Sequence, residues 1–281
     1  MSKQVLRFVK MQGCGNDFVV VNGIEQPFTP TPEQIRQLAD RRFGIGCDQV
    51  LTVHASTTPG VDFEYRIYNA DGQEVGQCGN GSRAIARFIY DQGLSDRTRL
   101  TVRTRTAQLQ LERLESGEVR VDLGRPSFLP PEIPLLMAER SVYELKLGEL
   151  GSVQFGVANL GNPHAVIVVE NVDLAPVRAV GQALQQRPEF PESVNVGFLQ
   201  LVSPIRGRLR VYERGVGETL ACGSGACAAF AVARRHGWMA PSATIEMPGG
   251  PLTLGWDDPE AGITLSGPVE TVFTGEWRWD G

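Results

Sequence analysis

Cys78-Gly79-Asn80-Gly81-Ser82-Arg83-Ala84-Ile85 and Cys222-Gly223-Ser224-Gly225-Ala226-Cys227-Ala228-Ala229 begin alike and lie 144 positions apart in a chain of 281 residues. In each, a Cys-Gly-x-Gly turn runs directly into a stretch that reads as helix. The second glycine lets backbone approach a ligand closely, and the helix start beyond it offers N–H groups with no intrahelical acceptor. Such a place binds carboxylate or phosphate. A cysteine there sits at the positive end of the peptide dipoles, which predicts a lowered thiol pKa.

Outward from the two motifs, each half of the chain repeats one order of elements. In the first half, residues 5–9 and 18–21 read as strands around a turn at Gly13-Cys14-Gly15-Asn16-Asp17. Thr31-Pro32-Glu33-Gln34 opens a helix through Arg41, with Thr31 as N-cap, Pro32 at N1 and Gln34 closing a capping box. Residues 49–54 and 63–68 are strands, and 100–104, 107–114 and 119–123 form a meander after the Cys78 helix. In the second half, strands at 141–147, 153–160 and 165–169 precede a helix at 175–186. Strands at 196–202 and 208–213 then lead to the Cys222 helix, followed by strands at 243–247, 252–256 and 263–266 and a final extended piece at 270–277. Asn69 and Glu213, each at a strand end, stand nine residues before their cysteines. Four prolines in residues 126–134 mark that segment as a linker. The expected fold is mixed α/β, as two duplicated units of roughly 140 residues each.

The totals narrow the function classes. With 42% hydrophobic and 21% charged residues and a net charge of −5, the chain has the composition of a soluble globular protein. It shows no basic stripe for nucleic acid. Arg97, Arg99, Arg103 and Arg105 read as the wet face of a strand. No apolar run approaches a membrane span, and Met1-Ser2-Lys3-Gln4-Val5 lacks a signal-peptide core, so no membrane partner and a cytoplasmic location are expected. Five dispersed cysteines fit neither a disulfide scaffold nor a zinc site, and no metal is expected. Gly13-Cys14-Gly15 is too short for a dinucleotide site and there is no Walker motif, so no nucleotide or pyridoxal cofactor is inferred.

Two helix-start thiols facing one pocket would place an acid and a base on opposite sides of a small anionic substrate, which suits inversion of a carbon stereocentre. A lone cysteine in such a place is usually a small buried residue; the matched pair is what favours chemistry. His164, in Gly161-Asn162-Pro163-His164, could trade a proton with a thiol if it titrates near neutrality, although a turn histidine alone reads as structural. Glu213-Arg214 is ordinarily a solvated rim pair, yet before the second motif Arg214 could fork onto a carboxylate and Glu213 meet an ammonium. Asn16, Asn69, Asn80, Asn162 and Asn195 fall in or beside turns, where asparagine needs no functional reason; together they would suit a zwitterionic substrate.

The ordered set of motifs resembles the diaminopimelate epimerase family over almost the whole chain. It comprises Met11-Gln12-Gly13-Cys14-Gly15-Asn16-Asp17-Phe18, Arg42-Phe43-Gly44-Ile45-Gly46-Cys47-Asp48-Gln49, Tyr68-Asn69-Ala70-Asp71-Gly72, both cysteine motifs, Gly161 to His164, Val194-Asn195-Val196, Tyr212-Glu213-Arg214-Gly215 and Glu218-Thr219. The resemblance implies cofactor-independent interconversion of LL- and meso-2,6-diaminopimelate, a step toward lysine and peptidoglycan. Cys78 and Cys222 would exchange the roles of thiolate base and thiol acid, with His164 and Glu213 tuning their protonation. The reacting carboxylate would lie on Gly79, Asn80, Gly223 and Ser224. Asn69, Asn162, Asn195 and Arg214 would read the distal centre, with Glu213 near its ammonium and Asn16 and Gln49 lining the pocket.

The fold so implied is two pseudo-symmetric α/β domains, each a curled sheet or barrel around a central helix, with the active site in the cleft. The domains would span 1–125, completed by a C-terminal strand within 268–281, and 126–267. The family usually forms homodimers. Gln12, Gln73 and Gln77 depart from the commonest family residues, histidine, serine and methionine in turn, and Cys14 and Cys47 are additional thiols. Two other readings stand beside this one: a two-cysteine racemase of the proline type, and a non-catalytic amino-acid-binding homologue. Arg214 with the asparagines weighs against the first, and two retained cysteines against the second.

Overall fold

The computed structural model describes residues 4–76 and 79–279. They form two compact units, one from the described residues up to Val121 together with those from Gly267 onward, the other from Asp122–Ser266. The first unit holds β1 (Gln4–Gly13), β2 (Asn16–Asn22), α1 (Pro32–Ala39), β3 (Gln49–Ala55), β4 (Phe63–Asn69), β5 (Glu74–Val75), α2 (Gly79–Asp91), β6 (Arg99–Arg103), β7 (Gln108–Arg113) and most of β8 (Val119–Asp122). The second holds β9 (Tyr143–Lys146), β10 (Ser152–Asn159), β11 (Pro163–Val168), α3 (Val177–Gln185), β12 (Asn195–Ser203), β13 (Arg206–Glu213), β14 (Gly217–Thr219), α4 (Gly223–Arg235), β15 (Ser242–Met247), β16 (Gly250–Gly255) and β17 (Thr264–Gly267). The last strand, β18 (Glu270–Trp279), pairs antiparallel along β1, from Gln4 opposite Trp279 to Gln12 opposite Glu270.

The two units share one pairing order. Antiparallel β1–β2 corresponds to β10–β11, and parallel β2–β3, bridged by α1, to β11–β12, bridged by α3. The antiparallel pair β3–β4 corresponds to β12–β13, and the hairpin β4–β5 to β13–β14. Parallel β4–β6 and antiparallel β6–β7 correspond to β13–β15 and β15–β16. In both, the helix after the cysteine motif connects the hairpin to the next parallel strand. The result is the sheet-dominated mixed α/β fold that the sequence pattern predicts.

Local chemistry explains the element ends. Thr31 accepts from the Gln34 N–H at 3.3 Å while the Gln34 side chain accepts from the Thr31 N–H at 2.8 Å, so the capping box forms as read. The helix ends at Ala39 rather than Arg41, because the Asp40 carboxylate accepts from the N–H groups of Arg42 and Phe43 and turns the chain out. Cys14 (φ 54°) and Gly15 (φ 81°) make the left-handed pair that a tight β1–β2 turn needs. Helix α4 is small-residue rich and packs against β10, β11, β12, β13, β15 and β16. Ala226 through Ala231 are fully buried, as expected of a helix wrapped by sheet on all sides.

The proline-rich 126–134 segment is not a linker. It belongs to the second unit, where Pro130–Glu132 forms a 3-10 turn, Ser127 bridges Asn159 and Ile133 is fully buried in the core. Proline keeps it out of the sheet, but the buried side chains of Pro130, Ile133 and Leu135 tie it down.

Candidate functional site

In the second unit, the pieces of the site come from three places in the fold. Cys222 is the N-cap of α4, with extended backbone (φ −132°, ψ 105°), and is 5% exposed. Glu213 ends β13. His164 lies near the start of β11, directly opposite Asn195 of β12 in the parallel register.

Cys222 Sγ donates to Glu213 Oε2 at 3.2 Å and lies 3.6 Å from Ser224 Oγ. The other carboxylate oxygen, Oε1, accepts from Thr219 Oγ1 at 2.5 Å. His164 Nε2 sits 2.9 Å from Asn162 Oδ1 and 3.1 Å from Ser224 Oγ. Since the amide oxygen can only accept, the imidazole proton is assigned to Nε2. A chain of polar contacts thus runs His164–Ser224–Cys222–Glu213–Thr219.

Charge in this chain departs from the expectation of a dipole-lowered thiol. Burial and then the Glu213 carboxylate push the Cys222 thiol well above its ordinary value, and the bonds from Ser224 Oγ and the Gly225 N–H only partly offset them. Cys222 therefore rests as S–H. Burial, helped by the Arg214 charge, lowers His164 to about 3, so it is neutral and does not titrate near neutrality. Gly225 has a steric role as well: a Cβ there would lie 3.2 Å from Cys222 Sγ and 3.1 Å from Val211 Cγ2.

Asn195 is buried and committed to backbone, its Nδ2 donating to Pro163 O at 3.0 Å and its Oδ1 accepting from the Arg214 N–H at 2.8 Å. It pins the strand end that carries Glu213 and Arg214. The exposed Arg214 guanidinium donates to Glu192 O at 2.7 Å. Gly223 and Ser224 open α4, so their N–H groups have no intrahelical carbonyl to bond.

A second polar cluster belongs to the first unit. Asn16 Nδ2 donates to Asp48 Oδ2 at 2.9 Å, and Asn80 Nδ2 donates to Asn16 Oδ1 at 3.4 Å. Gln49 Nε2 donates to Asn69 Oδ1 at 2.9 Å across the β3–β4 register, and Gln49 Oε1 is buried without a hydrogen-bond partner among the described residues. Gly79 and Asn80 open α2. Asn80 Oδ1 accepts from Arg83 Nη2 at 3.0 Å, and the fully buried Arg83 also reaches Cys14 Sγ at 3.9 Å. Cys78, the other candidate catalytic residue, lies outside the described residues, as does Gln77. Burial raises Cys14 despite the Arg83 charge, and drives Cys47 to about 12. Both are poor nucleophiles at neutral pH.

Sequence reading passed over the residues that orient these groups. Asp48 holds Asn16 and is itself paired with Arg41 at 2.8 Å, while Asp17 takes Arg41 at 2.6 Å and the buried Lys10. Burial works against the Asp17 charge, but bonds from Arg41 and Lys10 outweigh it and hold its carboxyl at about 2. In the sequence Thr219 stands out only within the Glu218-Thr219 motif. Its spacing of six from Glu213 across a tight hairpin is the signal that points to it.

One buried thiol with a carboxylate beside it thus stands at the start of α4, and comparison with known proteins identifies the family. The family model described as diaminopimelate epimerase matches residues 8–129 and 156–272. A diaminopimelate epimerase of Legionella pneumophila (strain Lens) is 50% identical over 271 residues, 96% of this chain and 98% of the relative. One from Alkalilimnicola ehrlichii is 47% identical over 98% of this chain and 99% of its own. Among solved structures, a hydroxyproline epimerase from Agrobacterium vitis shares the fold with a TM-score of 0.71 at 16% identity, covering 99% of this chain and 93% of that one. Identity near one half, held from end to end of both sequences, leaves no room for a merely shared fold, and the chain belongs to the diaminopimelate epimerase family of isomerases.

Proposed function

We propose that the protein interconverts LL- and meso-2,6-diaminopimelate without a cofactor, by moving one α-proton between two sulfurs. One cysteine, as thiolate, takes the proton from the α-carbon; the electron pair left on carbon spreads into the adjacent carboxylate. The other cysteine gives its S–H proton to the opposite face and becomes the thiolate. Helix-start N–H groups at Gly79 and Asn80, and at Gly223 and Ser224, would stabilise the charge gathering on that carboxylate.

The observation that carries this reading is the Cys222 S–H, buried at the start of α4 with the Glu213 carboxylate 3.2 Å away. The resting S–H is the acid for one direction. Glu213 is the group at hand to take that proton when Cys222 must act as base. Neutral His164, through Ser224, supplies polarity next to the sulfur without adding charge. Asn69, Asn162 and Arg214 would receive the polar groups of the distal centre, with Asn16 and Gln49 lining the pocket. Asn195, bound to backbone through both amide atoms, holds the strand end that carries Arg214 rather than the substrate. The same reading places the protein in the cytoplasm as a homodimer, serving lysine and peptidoglycan synthesis.

The test is to incubate the protein with LL-diaminopimelate, and separately with L-proline, in deuterated water without added cofactor. Deuterium at an α-carbon of diaminopimelate with inversion is expected, and none in proline. Cys78→Ala and Cys222→Ala should each lower inversion by at least about 10³-fold while the fold is kept. Turnover near wild type in either variant, or activity on proline alone, would reject the proposal.

A further inference from the structure

We propose that Thr219 is a positioning residue for this reaction, its hydroxyl clamping the Glu213 carboxylate in the orientation that serves Cys222. The inference rests on the two-cysteine reading above. A carboxylate only accepts, so the Thr219 O–H donates to Oε1, at 2.5 Å, and leaves Oε2 for the Cys222 S–H at 3.2 Å. Among the described residues each carboxylate oxygen thus has one donor, and the plane of the group is set by both.

The fold explains why this residue holds that position. In the β13–β14 hairpin Val211 pairs with Thr219 and Glu213 with Gly217, so Thr219 and Glu213 are diagonal neighbours on one face of the ladder. Glycine directly opposite Glu213 leaves the carboxylate no side chain to pack on across the ladder. Its terminal torsion is otherwise soft, and the threonine hydroxyl is the protein group that restrains it from the hairpin. Without that bond the carboxylate can rotate off the sulfur, and proton transfer at Cys222 loses its aligned partner. Among the described residues the Thr219 hydroxyl bonds to Glu213 and not to Cys222 Sγ, so its effect passes through Glu213.

Two variants separate the hydroxyl from the shape of the residue. Thr219→Val keeps the β-branched outline and removes the donor; Thr219→Ser keeps the donor and removes the methyl. With diaminopimelate as substrate, Val is expected to lower kcat by about 10- to 100-fold, the scale of a charge-assisted hydrogen bond, with KM within about twofold. Ser is expected to retain kcat within about threefold. Should Val disturb the strand, as seen by circular dichroism, Thr219→Ala is set against Ser in the same way. Val with wild-type kcat, Ser as impaired as Val, or a change confined to KM would each overturn the proposal while the reaction itself stood. Wild-type protein that fails to invert diaminopimelate would instead overturn the reaction and this inference together.

Discussion

Burial and the half-buried Glu213 carboxylate together set the resting state of the Cys222 thiol. Glycine-led helix starts lower thiol pKa in general, yet here desolvation comes first and the carboxylate adds to it. His164 is driven in the opposite sense, to about 3, because its charged form would be buried beside Arg214. A histidine whose folded pKa lies below its unfolded value weakens the fold as pH falls from about 6.5 toward 3, and has no effect above that range. His164 should therefore give a constant neutral-tautomer imidazole signal from pH 5 to 8 by nitrogen-15 NMR. A midpoint near 6.5 at this residue would contradict its burial.

At the scale of the element, α4 has two duties at its first turn: it must start a helix and leave space for a sulfur. Gly225 serves the second. Alanine is the better helix former by about 1 kcal/mol, and nothing in the Gly225 backbone forbids it, since its φ is not positive. The obstacle is contact, with Cys222 Sγ at 3.2 Å and Val211 Cγ2 at 3.1 Å from the added carbon. Gly225→Ala should thus leave the melting temperature nearly unchanged while lowering kcat by about tenfold, as the sulfur is displaced by a few tenths of an ångström. Unchanged kcat in steady-state assays would show that the sulfur has slack.

For the molecule as a whole, the last strand decides whether the first unit is complete. β18 covers β1 through nine paired positions and sets Phe273 edge-on to Phe8 at 5.9 Å. The chain leaves the first unit at β8, builds the second, and returns to close the sheet. Deletion from Pro268 onward should expose the β1 edge and strip hydrogen-exchange protection from β1 and β2. The core of the second unit, in β12 and α4, should keep its protection. Equal loss in both units would mean that they do not unfold separately.

Local signals were enough for the helices, the capping box and most strands, because hydrophobic period and capping chemistry act over a few residues. The repeated Cys-Gly-x-Gly spacing likewise marked both helix starts and the residues around them. The short strands β5 and β14 were not legible, since two or three residues carry no period and gain their pairing only from the hairpin. The packed proline segment at 126–134 was misread for a related reason: composition excluded it from a sheet but could not show that Ile133 would be buried. Nor could sequence reveal that Asn195 is bound to backbone, that Asp48 holds Asn16, or that Thr219 meets Glu213. Amino-acid order alone determined which side chains are available for chemistry and where helices begin. Only tertiary packing decided their protonation and orientation, because desolvation and hydrogen bonding depend on neighbours brought in from distant parts of the chain.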